Sequence, residues 1–89
     1  MIIRLLTFNL NQEKSAEDFE GIAKVIADYD YVRLSESIYA LETNESPSAI
    51  YSKLEPFIDV NDFILVLTVT SPFFAVGSPD LTTWLRNRL

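Results

Sequence analysis

Apolar residues recur along this chain in two rhythms, at alternate positions and at every third or fourth, and the changes between them mark out its elements. From Ile2 to Asn9 the pattern predicts a strand, with Arg4, Leu6, Phe8 and Leu10 on one face and Ile3, Leu5, Thr7 and Asn9 on the other, both faces largely apolar. The polar stretch Asn11-Gln12-Glu13-Lys14 connects to a helix start at Ser15, whose hydroxyl can accept an N-terminal amide while Glu17 and Asp18 favour the helix dipole. Phe19, Ile22, Ala23, Ile26 and Tyr29 then fall at helical spacing and predict a core-facing seam. Asp28-Tyr29-Asp30 ends that helix. Tyr31–Leu34 and Ser37–Leu41 read as two adjacent strands, or one strand broken near Ser35-Glu36.

A second helix is announced by Ser46-Pro47, a cap followed by a proline where the missing N–H is harmless. Ile50, Leu54, Phe57 and Ile58 form its apolar side, and Pro56 should bend or end it early by deleting an amide donor. Asp59-Val60-Asn61-Asp62 is a turn, and its acids, although spaced like ligands, are needed to satisfy their own backbone. Phe63–Thr70 is the most strongly marked strand and predicts a central position. Ser71-Pro72 interrupts it. Phe73–Gly77 is an apolar segment that must pair with something, and Ser78-Pro79-Asp80 opens a short terminal helix with Leu81, Trp84, Leu85 and Arg88 along one face.

The order strand, helix, two strands, helix, strand predicts an α+β fold, a ferredoxin-like βαββαβ sandwich with a short extra C-terminal strand and helix, in one domain over residues 1–89. Both crossover helices should lie on one face of an antiparallel sheet. On the other face, Ile3, Leu5, Thr7, Ile64, Val66 and Thr68 are expected to leave an apolar surface larger than monomers usually expose. A two-fold dimer through Leu5, Thr7, Val66 and Thr68, or through the edge segment containing Phe73, Phe74 and Val76, is the expected consequence.

Composition narrows the chemistry. A chain of 89 residues with 48% hydrophobic residues supports a small core, burying roughly 60 to 65% of its unfolded surface. The absence of cysteine removes disulfides, thiolate catalysis and sulfur-ligated metals, and the absence of histidine removes the usual general base. No basic leader or cleavage site precedes the first strand, and no apolar run reaches 18 residues, so a cytoplasmic protein that does not span a membrane is expected. The net charge of -6 disfavours polyphosphate unless Arg4, Arg33, Lys53, Arg86 and Arg88 converge, and scatter is expected.

Thr7-Phe8-Asn9-Leu10-Asn11, the segment Arg33-Leu34-Ser35-Glu36-Ser37-Ile38-Tyr39, and the stretch from Leu54 to Val66 resemble the CRISPR-associated protein 2 superfamily. The resemblance runs over nearly the whole chain. It is closest to the small stand-alone bacterial branch labelled SinR-like and extends more distantly to virulence-associated protein D. It implies a ferredoxin-like homodimer in which the last strand of one subunit completes the partner's sheet, a role that falls here to Phe73–Val76. Nuclease activity in that family uses an aspartate at the end of strand one from each subunit to hold a divalent metal. Asn9 stands at the matching position, and a neutral amide neither supplies the charge to retain the ion nor acts as a base.

The candidate catalytic positions are therefore Asn9, Ser35 and Ser37, the serines having no histidine beside them. Candidate nucleic-acid contacts are Arg4, Arg33, Arg86 and Arg88; no metal ligand set and no cofactor are expected, Mg2+ entering only if the chain is a nuclease. Tyr39 and Trp84 can stack bases, but positions of this kind are more often core. The favoured expectation is a non-catalytic dimeric module acting on an unidentified protein or nucleic-acid partner. The alternatives are a metal-dependent, toxin-like ribonuclease, and an interaction protein with no CRISPR role.

Overall fold

A computed structural model of the chain describes residues 2–89. Strands β1 (Ile3–Asn9), β2 (Asp30–Ser35), β3 (Ile38–Glu42) and β4 (Phe63–Val69) form one antiparallel sheet in the order β2-β3-β1-β4. Helix α1 (Ala16–Ala27) connects β1 to β2, and α2 (Pro47–Leu54), followed by a single 3-10 turn at Glu55–Phe57, connects β3 to β4. This is the ferredoxin-like plan. A third helix, α3 (Pro79–Arg86), follows β4.

Local chemistry sets the helix boundaries. Ser15 accepts the amide of Asp18 and Ser46 that of Ala49, each satisfying an N–H that has no partner within the helix. Pro47 occupies the first turn of α2, and Pro56 stops regular helix at Leu54, beyond which the chain tightens into its 3-10 turn. Leu6, Ile22, Ile26, Leu41, Ile50 and Leu54 are buried together between sheet and helices. The seam predicted for α1 is half realised: Ile22 and Ile26 are buried, whereas Phe19 stays 45% exposed.

Register corrects the assignment of β4. Leu6 pairs with Val66 and Arg4 with Thr68, so Val66 and Thr68 share the helix side with Leu6 and do not join Leu5 and Thr7. The residues of β4 that face away from the helices are Phe63, Leu65 and Leu67, opposite Asn9, Thr7 and Leu5. Because β1 and β4 are apolar on both faces, alternation alone carried no parity signal. Nor is β4 central: it is an edge strand.

Two further expectations are revised. Phe73–Val76 forms no strand, since no sheet edge within this protomer pairs with it, and Gly77 takes φ 149°, a conformation that side chains avoid, as the chain turns into α3. The sheet face opposite α1 and α2 is not wholly open. Helix α3 packs on β2, and Arg88 reaches Asp30 at 3.3 Å and Glu42 at 3.6 Å, two cross-strand partners on that face. Ile3 and Ala40, also on that face, are buried.

Candidate functional site

The end of β1 is held by a network of charge and hydrogen bonds. Asp62, its side chain fully buried, accepts the amide of Asn11 at 2.7 Å and that of Asp59 at 2.9 Å, and pairs with Lys14 Nζ at 2.7 Å. Lys14 also donates to the carbonyl of Phe57 at 2.7 Å and lies within 4 Å of Asp59 and Asp18. Burial pushes the Asp62 carboxyl up, but the hydrogen bonds from Asn11, Lys14 and Asp59 outweigh it and leave the group below its ordinary value. The hydrogen bond to Asp62 raises Lys14 above its own ordinary value. Asp59 in turn accepts the amide of Asn61. These acids serve the turn and clamp it to the strand exit.

Asn9 projects from this anchored exit, exposed, and lines a shallow concavity with Glu36 and Ser37 from the β2–β3 turn. Ser37 is tied to the strand through its carbonyl, which accepts the amide of Phe8 at 3.1 Å, and Ser35 Oγ accepts the amide of Ser37 at 3.4 Å. The three candidate catalytic positions thus gather around one turn. Their donor set is an amide, two hydroxyls and a single carboxylate, that of Glu36. Among the described residues no group of three or more His, Cys, Asp or Glu could hold a metal ion. At this turn a single carboxylate supplies the charge available to a divalent cation, and neither serine has a hydrogen bond to an acid or a lysine among the described residues.

The candidate basic residues do not converge. Arg4 is buried on the helix side, donating to the carbonyl of Glu45 at 2.8 Å and to Thr68 Oγ1. Arg33 lies on the same side at the β2 edge, its guanidinium 5.8 Å from the Tyr39 ring centre and bonded to the carbonyls of Ser35 and Glu36. Arg88 sits on the opposite face, paired with Asp30 and stacked on Trp84 at 4.1 Å. Lys53 is engaged by Glu45 at 2.7 Å, whose carboxyl that pairing holds below its ordinary value. Arg86, exposed on α3, makes no ion pair among the described residues. Arg4 and Arg88 are committed to the fold.

The apolar residues converge more than the charged ones. Phe63, Leu65 and Leu67 are 59, 44 and 36% exposed along the outer face of β4. Beyond the strand, Phe74 and Val76 are 91 and 85% exposed and Phe73 38%. Leu5 and Thr7, half-buried, continue the strip onto β1. Of these residues the sequence reading missed Phe63, Leu65 and Leu67, because they alternate with Ile64 and Val66, equally apolar, and only the pairing register tells the two sets apart.

No protein-family model matches the sequence, and no curated protein matches it. Solved structures do. A hypothetical protein of Thermus thermophilus, TT1823, superposes with a TM-score of 0.67 at 11% identity, over 86% of this chain and 92% of its own. Cas2 of Streptococcus pyogenes superposes with a TM-score of 0.57 at 23% identity, over 96% of this chain and 93% of its own. The chain has the ferredoxin-like fold of Cas2. Among the described residues no helix is long and apolar enough to cross a membrane.

Proposed function

We propose that this chain is a homodimeric, non-catalytic interaction module related to the CRISPR-associated protein 2 superfamily, nearest to its stand-alone SinR-like branch, and acting in the cytoplasm on a protein or nucleic-acid partner. The observation that carries the reading is the strip of Phe63, Leu65 and Leu67 beside the unpaired segment containing Phe74 and Val76. Adjacent exposed apolar side chains on an edge strand next to an apolar segment without a partner suit a second copy of the same surface. In a dimer of this kind Phe73–Val76 lies along the β4 edge of the partner and acquires the strand conformation it lacks alone.

The non-catalytic part of the proposal rests on Asn9, which brings an amide oxygen to the strand end where the related nucleases carry an aspartate. The single nearby carboxylate, Glu36, is exposed and free to move away. The net charge of -6 and the separation of Arg4, Arg33 and Arg88 over two faces support a protein partner over duplex DNA.

Light scattering coupled to size exclusion, at protein concentrations on the order of tens of micromolar, tests the association. Twice the protomer mass is expected, and a strict monomer overturns the dimer. A cleavage assay on RNA and duplex DNA with Mg2+ tests the chemistry: no turnover is expected, and cleavage lost on chelation and on Asn9→Ala overturns the non-catalytic reading.

A further inference from the structure

Helix α1 is drawn toward the 3-10 turn on one flank and stands off the sheet on the other. Gly21 has no side chain, and the ring of Phe57 packs directly where one would be. On the opposite flank a groove runs between α1 and the β2–β3 hairpin, about 360 Å3 in volume, with Phe19 and Ala23 on the helix side and Phe8, Tyr39, Arg33 and Glu36 on the sheet side. A second concavity continues it past Phe8 and Phe19 toward Asn9.

The sheet wall is aromatic and ordered. Phe8 and Tyr39 stack with centres 5.9 Å apart and planes inclined by 22°, and Tyr31, 44% exposed, extends the row at 5.9 Å from Tyr39. Phe19 stands across from them with nearly half its surface in solvent. A flat ring entering here replaces water against the aromatic side chains that line the groove, Phe19, Phe8 and Tyr39, a contact that each base-sized ring can make. Arg33 is fixed at the groove by its bonds to two backbone carbonyls, which use Nε and one Nη2 hydrogen and leave the remaining guanidinium donors for an anion. Glu36 supplies an acceptor on the same rim, suited to an exocyclic amine.

We propose that this groove binds a free nucleoside monophosphate whose base carries an exocyclic amine, the base lying between Phe19 and the Phe8–Tyr39 pair and the phosphate on Arg33. One phosphate matches the charge present. Among the described residues Arg33 is the only arginine or lysine lining the groove, Arg4 is buried and Arg88 lies across the sheet, so a polyanionic strand has nothing further to follow. The site is independent of the association proposed above, because the β4 strip faces away from the helices.

Amide chemical-shift titration of the full chain with AMP tests the proposal, with adenosine, indole-3-acetate and a single-stranded RNA oligomer as parallel probes. Saturable shifts at Phe19, Ala23 and Tyr39 are expected with AMP, and weaker binding with adenosine, which lacks the anion, and with indole-3-acetate, which lacks the amine. Arg33→Ala is expected to weaken AMP about tenfold or more. Ala23→Phe, placing a ring in the groove from an exposed helical position, is expected to abolish binding while circular dichroism stays unchanged. Absence of AMP shifts, binding unaffected by a folded Ala23→Phe variant, or tighter binding of the RNA oligomer overturns the proposal.

Discussion

The ring of Phe57 fills the space that a β-carbon on Gly21 would occupy, so the backbone of α1 is the surface against which the 3-10 turn packs. Glycine inside a helix is ordinarily unfavourable by about 1 kcal/mol relative to alanine. Here close approach outweighs propensity. Gly21→Ala therefore destabilises the protein, the displaced ring costing about 1–3 kcal/mol against the propensity gained. Urea denaturation monitored by circular dichroism gives the sign, and a higher midpoint in the variant contradicts this packing.

Asp62 holds two backbone amides and Lys14 in a buried arrangement at the exit of β1. Replacing the carboxylate in Asp62→Asn is expected to destabilise by about 2 kcal/mol, the scale of hydrogen bonds to a charged group. Its pH dependence follows from the directions of the shifts. The folded-state value of Asp62 is depressed, so its contribution is complete above the unfolded-state value near about 4 and is lost as pH falls through the lower folded-state value. Lys14 is raised, so its contribution is complete below its ordinary value and lost only as strongly alkaline pH passes the folded-state value. Melting temperature measured from pH 7 down to pH 2 should fall less in Asp62→Asn than in the parent chain.

Phe74 and Leu65 separate association from folding. Both are exposed in the protomer, so Phe74→Asp and Leu65→Lys should change protomer stability by no more than about 0.5 kcal/mol. Each is nevertheless expected to shift the chain to monomer by placing a charge in an apolar contact. Sedimentation velocity reads the change, and a full dimer in the double variant removes the β4 strip from the interface.

Arg4 serves the fold, so its removal should act on stability and not on any nucleic-acid partner. Its guanidinium bonds the carbonyl that precedes α2 and the hydroxyl of Thr68 in β4. Arg4→Ala removes both of these bonds and the packing of a buried side chain and is expected to cost about 1–3 kcal/mol. Thermal unfolding by calorimetry checks this, and an unchanged transition in Arg4→Ala contradicts it.

Much of the fold was legible because local chemistry is repeated at each boundary: a serine with a following acid or proline precedes each predicted helix, Ser15 and Ser46 capping theirs while Ser78 makes no capping bond, and Pro56 ends one. The candidate site was less legible. Asn9, Ser35 and Ser37 are separated in sequence by up to 28 positions, and the pairing of β1 with β3 brings Asn9 and Ser37 to one turn. Two of the four arginines read as nucleic-acid contacts, Arg4 and Arg88, are tied to a carbonyl and to carboxylates within the fold, which composition and net charge do not reveal.

By itself the sequence determined the four strands and three helices and the order that yields this sheet, though not the state of Phe73–Val76, because capping, proline geometry and hydrophobic period act over a few residues whereas that segment depends on a pairing edge. Which apolar face of β1 and β4 meets the helices was decided only by tertiary structure. Leu6 against Val66 and Leu5 against Leu67 are chemically near-equivalent pairs, and cross-strand register, with the packing of α1, α2 and α3 on opposite sides, is what turns the first pair to the core, burying Leu6 with Val66 packed against it, and leaves Leu67 36% exposed.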